Sequence, residues 1–570
     1  MTMPPSRSCL PEWPLIGLLT LLGAIVRLWS FGRLGLTHFD EGMYAMAALW
    51  ITQPKGLAGI DPAAVMYAPP GFVTLVGLGY LLFGFADLVP ILVSILAGIV
   101  AIPLAAAVAR QAFGAGAGVA AAALAALSGP HVAFSRMALT DALFLDTWLL
   151  AMLAGARFLA RPGIGRAIGL GLAVGLAQNV KYNGGLAGII VAIAAGVGLL
   201  VERGPTRAIR LLGLLVLAGL IAGLMYLPWA VFIERHVGYA KLAAHHRGYA
   251  GGLLDWPAHL NTQLAQVVAL SGGPSAWHSS GKPSLWALAA GWLAAVLGSW
   301  CADRSPCVDR DFQAVTGVAL FGAGMFLVGC PTLPWWLGLA WTPGLLRDAR
   351  LVRRLLGVWW LTLSLITPWY HPYARLWLPL VALGWIMAGG LVPTLWKSWI
   401  ARGEAPSRHL NAKALLGLGI FLLALYQQER ARILPGLLAP TDSFRRHLTD
   451  LRPDPRRGEF ELLLLLARPH ATFYVFQSGA VPSIKKMRGL DQLLAEDQPG
   501  AWALVDEVML RQEGDLETAR RRLFEKYEPV RGWTETLPPA TLLDVSPRAA
   551  FGDTTARASP WMLMRPKLVP

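Results

Sequence analysis

Charge is scarce in this chain. Asp, Glu, Lys and Arg make up 15% of its 570 residues, whereas a soluble domain carries about 25%. With 55% AVILMFWYC, 61 Gly besides and a mean hydropathy of +0.51, it is neither a single soluble globule nor a disordered chain. Cysteine is scarcer still. The four, Cys9, Cys301, Cys307 and Cys330, have the spacing of neither a zinc site nor a disulfide framework. Internal repeats and low-complexity tracts are lacking, which excludes solenoid architectures. The charge that is present is lopsided, 49 Lys and Arg against 34 Asp and Glu, for a net +15. Its cations are scattered through short loops between apolar runs rather than gathered on one polar face. That pattern argues against a nucleic-acid partner and for the cytoplasmic loops of a membrane protein.

Apolar runs close to the ~20 residues of a spanning helix lie around 14–31, 88–109, 115–132, 141–160, 167–182, 184–201, 211–232, 284–301, 313–330, 332–346, 355–370, 374–396 and 412–430. The first follows Arg7 without a small-residue cleavage site and is expected to be an uncleaved signal anchor. A further run at 69–84 opens with Pro69-Pro70 and holds Gly71, Gly77, Gly79 and Gly84. If it lies in the interface rather than spanning, the loops with Arg110, Arg157, Arg161, Arg166, Arg203, Arg207, Arg210, Arg347, Arg350, Arg353 and Arg354 share one side. The positive-inside rule then gives about thirteen spans, a cytoplasmic N-terminus and an outer C-terminus. The fold class is therefore mainly α, a polytopic membrane protein. Residues 1–431 are expected to form the membrane domain, with outer segments at 32–87 and 233–283. Residues 432–570 are expected to form a small periplasmic α/β domain, with strands at Ala471–Phe476, Ala501–Val505 and Thr541–Val545 and helices around Leu490–Glu496 and Asp515–Lys526.

Polar residues at outer span ends carry the functional signal, since ionisable groups near a membrane core are costly. Asp40-Glu41 follows the first span in a stretch, Asp40 to Ile51, that suits an amphipathic interfacial helix. Either carboxylate has an ordinary alternative as a helix cap. Arg136 and Asp141 occupy the loop between the third and fourth spans, where Thr140-Asp141 would also serve as a cap, and Asp146 lies deeper and is expected to face the interior. Lys181-Tyr182-Asn183 forms a third outer cluster, and His371, Tyr373 and Arg375 a fourth. Tyr370 and Trp377 read as interfacial belt residues. Outer-face cations run against the positive-inside bias, and an anionic ligand explains Arg136, Lys181 and Arg375 together. Phosphate suits the Arg fork. Carboxylates beside phosphate-binding cations at headgroup level suggest transfer of a lipid-linked sugar. A carboxylate takes the proton of an attacking hydroxyl, and the phosphate departs. Displacement in one step inverts the anomeric centre.

In this order the motifs resemble those of the C-type membrane glycosyltransferases, the group of protein O-mannosyltransferases, aminoarabinose transferases and bacterial galacturonosyltransferases. The matching pieces are Asp40-Glu41, Tyr67-Ala68-Pro69-Pro70-Gly71, Leu82-Phe83-Gly84, Ser135 to Asp141, Lys181-Tyr182-Asn183-Gly184 and Tyr373 with Arg375 to Pro379. The likeness covers residues 10–200 well and 365–400 loosely. It implies a polyprenyl-phosphate sugar as donor, Asp40 as general base with Glu41 beside it, and Arg136, Asp141, Lys181 and Tyr182 as further site residues. Some relatives carry a cation ahead of the Pro-Pro pair, where Tyr67-Ala68 stand here. His38, beside Asp40 and Glu41, is a candidate metal ligand, although a single His more often has a structural role. No cofactor is otherwise indicated, and a divalent metal is left open. Expected partners are the lipid-linked donor and a lipid, glycan or protein acceptor, at the periplasmic face of the inner membrane. Two alternatives stand beside this reading: a secondary transporter, whose site would lie near the bilayer midplane, and a polysaccharide polymerase or ligase using lipid-linked glycans.

Overall fold

The computed structural model describes residues 12–52, 68–114, 116–201, 205–270, 345–346, 348, 350–400, 436–448, 461–465, 469–478, 483–487, 490–495, 501–506, 510, 515–545 and 558–567. The spans expected at 284–301, 313–330 and 412–430, and nearly all of 332–346, lie outside the described residues.

The apolar runs form helices: α1 (Glu12–Leu28), α2 (Phe39–Thr52), α3 (Pro70–Phe83), α4 (Leu88–Phe113), α5 (Ala117–Leu127), α6 (Gly129–Ser135), α7 (Thr140–Ala160), α8 (Ile164–Val180), α9 (Leu186–Val201) and α10 (Pro205–His236). After α11 (Tyr239–Arg247) and α12 (Trp256–Leu270), the bundle continues with α13 (Leu351–Ile366) and α14 (Leu378–Ile400). Among the described residues four helices are long and apolar enough to cross a membrane: Glu12–Arg33, Leu88–Phe113, Thr140–Ala160 and Ala208–His236. The pair α5 and α6, bent by 58° at Ser128, would make a fifth. Pro70–Phe83, Ile164–Val180, Leu186–Leu199 and Ala374–Gly390 are shorter apolar helices.

Small residues set the packing. In the Ala-rich α5, Ala121, Ala122, Ala125 and Ala126 are buried. A Cβ on Gly171 would lie 2.6 Å from the Ala218 carbonyl oxygen, so α8 and α10 meet at backbone distance. The bend after α5 leaves its last carbonyls without helical partners. Arg27, buried on α1, answers them: Nη1 donates to Ala126 O at 3.0 Å and Nη2 to Ala125 O at 3.2 Å, with His131 Nδ1 at 2.8 Å. Asp146 is buried, as its position on α7 predicts.

From Ser443 onward the chain builds α15 (Ser443–Leu448), α16 (Pro469–Ser478), α17 (Leu490–Ala495), α18 (Leu516–Lys526) and α19 (Pro539–Val545) around a five-stranded sheet. Its strands are β1 (Glu461–Leu465), β2 (Ser483–Met487), β3 (Trp502–Asp506), β4 (Tyr527–Thr536) and β5 (Ala558–Pro566), in the order β2-β1-β3-β5-β4. The β1 pairings are parallel, and β3–β5 and β4–β5 are antiparallel. Two expected strands are corrected. Ala471–Phe476 lies in α16 and Thr541–Val545 in α19, each helix opening on a proline in its first position, where the missing N–H costs nothing. In α16 the consecutive residues Ala471, Thr472, Phe473, Tyr474 and Val475 are all buried, so the apolar run reflects a helix enclosed on all sides.

Candidate active site

The N-terminus of α2 places the first carboxylates. His38 precedes the helix, and Glu41, the third helical residue, reaches back over it. Glu41 Oε2 accepts from Thr37 N–H at 2.7 Å and His38 N–H at 2.8 Å, and Oε1 accepts from Ala138 N–H at 2.7 Å. This is the Glu half of a capping box, extended to fasten the 136–139 loop. Burial lifts the Glu41 carboxyl above its ordinary range, against the pull of these donors.

One residue earlier on the helix, Asp40 turns the other way. Its Oδ2 accepts from Arg375 Nη1 at 2.6 Å, and its own N–H donates to His38 Nδ1 at 3.0 Å. Burial by itself would raise the Asp40 carboxyl. The Arg375 guanidinium outweighs it and, with His38, holds the group below the usual carboxylate range. Arg375 stands in a short turn, Ala374–Trp377, ahead of α14, with its guanidinium 4.8 Å from the Tyr373 ring centre. A second carboxylate meets it there. Asp544, from α19, brings Oδ2 to 3.3 Å from Arg375 Nε and 3.3 Å from His38 Nε2. Burial would lower the His38 ring, but the bond to Asp544 and the charge of Asp40 raise it.

Lys181 follows the last residue of α8. Its Nζ donates to Asp141 Oδ1 at 2.5 Å, and Gly184 folds the loop back so tightly that a Cβ would lie 2.3 Å from the Ala177 carbonyl oxygen. The wall opposite comes from two strand-like segments joined by a bridge between Ala250 and Tyr370. Tyr249 and Tyr370 stack at 5.7 Å, His246 Nδ1 lies 3.1 Å from Tyr370 Oη, and Tyr182 meets the His246 ring edge-on at 5.4 Å. Burial pushes the Tyr182 hydroxyl up to about 12.

These groups enclose a cavity of about 660 Å³. Of the residues expected from the sequence, His38, Asp40, Lys181, Tyr182, Tyr373 and Arg375 line it together. Glu41, Arg136, Asp141 and His371 are not among its lining residues. Asp141 instead holds Lys181 from behind, at 1% side-chain exposure. Arg136 closes the end of α1, its Nη1 donating to Arg27 O at 2.8 Å and Trp29 O at 2.7 Å. His371 pairs its N–H with Tyr249 O at 2.8 Å and packs its ring on Tyr373 at 4.5 Å. Tyr370 faces the cavity rather than serving only as a belt residue, and Trp377 is wholly buried with Nε1 bonded to Gln263 Oε1 at 2.6 Å. The sequence reading assigned no role to Asp544, His245, His246 or Tyr249, all cavity residues. The His245-His246 pair, between two apolar runs, was a usable signal, whereas Asp544 offered none. Both ring nitrogens of His38 are engaged within the protein. Among the described residues no group of three His, Cys, Asp or Glu is placed to hold a metal.

Residues 67–232 match the family model of the dolichyl-phosphate-mannose-protein mannosyltransferases. The fold is similar to that of ArnT from Cupriavidus metallidurans, solved bound to undecaprenyl phosphate. The likeness has a TM-score of 0.54, covers 88% of this chain and 95% of that one, and holds at 15% identity. It is also similar to the apo oligosaccharyltransferase of Archaeoglobus fulgidus, with a TM-score of 0.52, over 90% of this chain and 72% of that one, at 14% identity. No curated protein matches the chain in sequence.

Proposed function

We propose, from the family match over residues 67–232 and the likeness of fold, that this chain is a C-type membrane glycosyltransferase that transfers a single sugar from a polyprenyl-phosphate donor to an acceptor hydroxyl, with inversion, at the outer face of the bacterial inner membrane. One observation carries the reading: Asp40 is held by Arg375 on the wall of a cavity into which Lys181 also opens. The acceptor, a lipid, glycan or protein of the envelope, enters from the outer side, to which the C-terminal residues also belong.

The chemistry balances within these residues. The acceptor oxygen attacks the anomeric carbon as the bond from that carbon to the phosphate oxygen breaks. The hydroxyl proton passes to the Asp40 carboxylate, and polyprenyl phosphate departs with the bonding pair. Asp40 is a weak base by virtue of its lowered pKa. It suits a reaction in which the leaving group does most of the work and the hydroxyl loses its proton late. Lys181 and Arg375 offset the charge that develops on the departing phosphate, and fixed donors of this kind are typically worth about 10²–10³ in rate. The stacked Tyr249–Tyr370 wall offers apolar ring faces to a sugar. No step requires Glu41, Arg136 or Asp141 to touch substrate, and their contacts give them the task of holding the loops that do.

The test is release of free polyprenyl phosphate, followed by mass spectrometry, from purified protein supplied with polyprenyl-phosphate sugars and an envelope extract. Asp40→Asn is expected to lower release about 10²–10⁴-fold, the usual worth of a general base, with membrane insertion unchanged. Undiminished turnover in that variant would remove Asp40 from the reaction, and flux of substrate without any lipid-linked donor would favour a transporter.

A further inference from the structure

Asp544 is the carboxylate that the C-terminal residues bring to the cavity. Helix α19 carries it in beside the first outer loop, where Thr541 Oγ1 lies 3.1 Å from Thr37 Oγ1. Its side chain is only 3% exposed. Oδ2 is shared between Arg375 Nε and His38 Nε2, each at 3.3 Å, and Oδ1 is buried without a hydrogen-bond partner among the described residues. One guanidinium therefore serves two carboxylates on different edges, Asp40 on Nη1 and Asp544 on Nε.

We propose that Asp544 is a positioning residue for sugar transfer, dividing the charge of Arg375 so that the guanidinium grips neither the general base nor the departing phosphate too tightly. This rests on the reading of Asp40 and Arg375 given above. Two carboxylates share the one guanidinium, with the His38 ring as the second partner of Asp544, and the Lys181–Asp141 pair beside them is balanced. Removing the charge of Asp544 takes one negative charge from the cavity and leaves Asp40 as the carboxylate paired with Arg375, whose attraction for phosphate rises. Tighter binding of donor and product alike does not speed the chemical step, and it slows release of the polyprenyl phosphate. The charge-sharing role thus predicts a lower KM together with a lower kcat. A merely structural role predicts a higher KM and a lower melting temperature.

The experiment measures binding of undecaprenyl phosphate to the full-length protein in detergent, alongside steady-state transfer, for wild type, Asp544→Asn and Asp544→Glu. Asp544→Asn is expected to bind the lipid phosphate roughly tenfold more tightly, with kcat reduced and the melting temperature close to wild type. Asp544→Glu, which keeps the charge, is expected to bind as wild type does. Equal or weaker binding by the Asn variant, or a Glu variant altered as much as the Asn variant, overturns the inference. If the Asn variant loses its melting transition, Asp544→Ser is judged by the same criteria. Wild-type protein that fails to bind undecaprenyl phosphate overturns the donor reading itself, a result distinct from wild-type binding with no effect of Asp544.

Discussion

At the scale of single residues, the state of Asp40 is a contest between burial and Arg375. Burial favours the protonated acid, the guanidinium at 2.6 Å favours the anion, and the anion wins. A base with a lowered pKa is present at all pH values above that pKa. Transfer should therefore stay level down through the ordinary carboxylate range near ~4 and fall only below it. In Arg375→Gln the main lowering influence is gone and burial dominates, so the acid limb of the kcat/KM profile should move to higher pH. The overall rate should also drop about 10²–10³-fold from the lost phosphate contact. A limb that stays in place while the rate falls would detach Arg375 from Asp40. Asp40, Lys181 and Arg375 were legible in the sequence because outer-face charges at span ends are costly enough to need a reason. The same logic gives Arg136 a ligand, and in the structure its Nη1 donates to the carbonyls of Arg27 and Trp29.

Elements come next, and the membrane bundle solves a recurring problem at broken helices. The α5–α6 bend and the end of α1 both leave carbonyls unpaired in a region where water is scarce. Arg27 and Arg136, each buried, supply the donors. In Arg136→Ala the buried carbonyls lose their charged partner, at a cost of about 1–3 kcal/mol. Thermal unfolding in detergent should show a lower midpoint, and the donor KM of the folded fraction should be unchanged. A higher KM at an unchanged midpoint would return Arg136 to the ligand role that its motif suggested. The helical runs themselves were readable from length and hydropathy, since α4 and α7 match their expected spans closely and α10 contains its own. The two corrected strands in the C-terminal region were not, because a short apolar run gives the same signal for a buried strand and a buried helix. The prolines that open α16 and α19 were the overlooked evidence.

For the whole molecule, the question is whether the residues beyond Ser443 are an appendage or part of the catalytic frame. One apolar cluster contains Leu34 and Leu36 of the loop after α1, Tyr44 and Ala48 of α2, and Phe444, Phe473, Trp533 and Trp561 of the C-terminal region. Polar contacts follow the same seam. Tyr474 Oη donates to Asp87 Oδ2 at 2.7 Å and accepts from Leu36 N–H at 2.8 Å. Thr441 Oγ1 bonds both the N–H and the carbonyl of Gly35, at 2.8 and 3.1 Å. At Gly35 a Cβ would lie 2.7 Å from Tyr474 Oη, so the seam closes only around a glycine. The loop that leads into α2 and Asp40 is therefore built jointly by residues more than 400 positions apart, and no local pattern announces that. Tyr474→Phe removes one hydroxyl and leaves the buried Leu36 N–H and Asp87 short of a partner, a cost of about 1–3 kcal/mol. Hydrogen exchange should then quicken in 34–42 and 469–478 together, and transfer should fall because Asp40 directly follows the loosened loop. Exchange that rises in 469–478 alone, with full activity, would show that the C-terminal residues fold as a unit the first loop does not need.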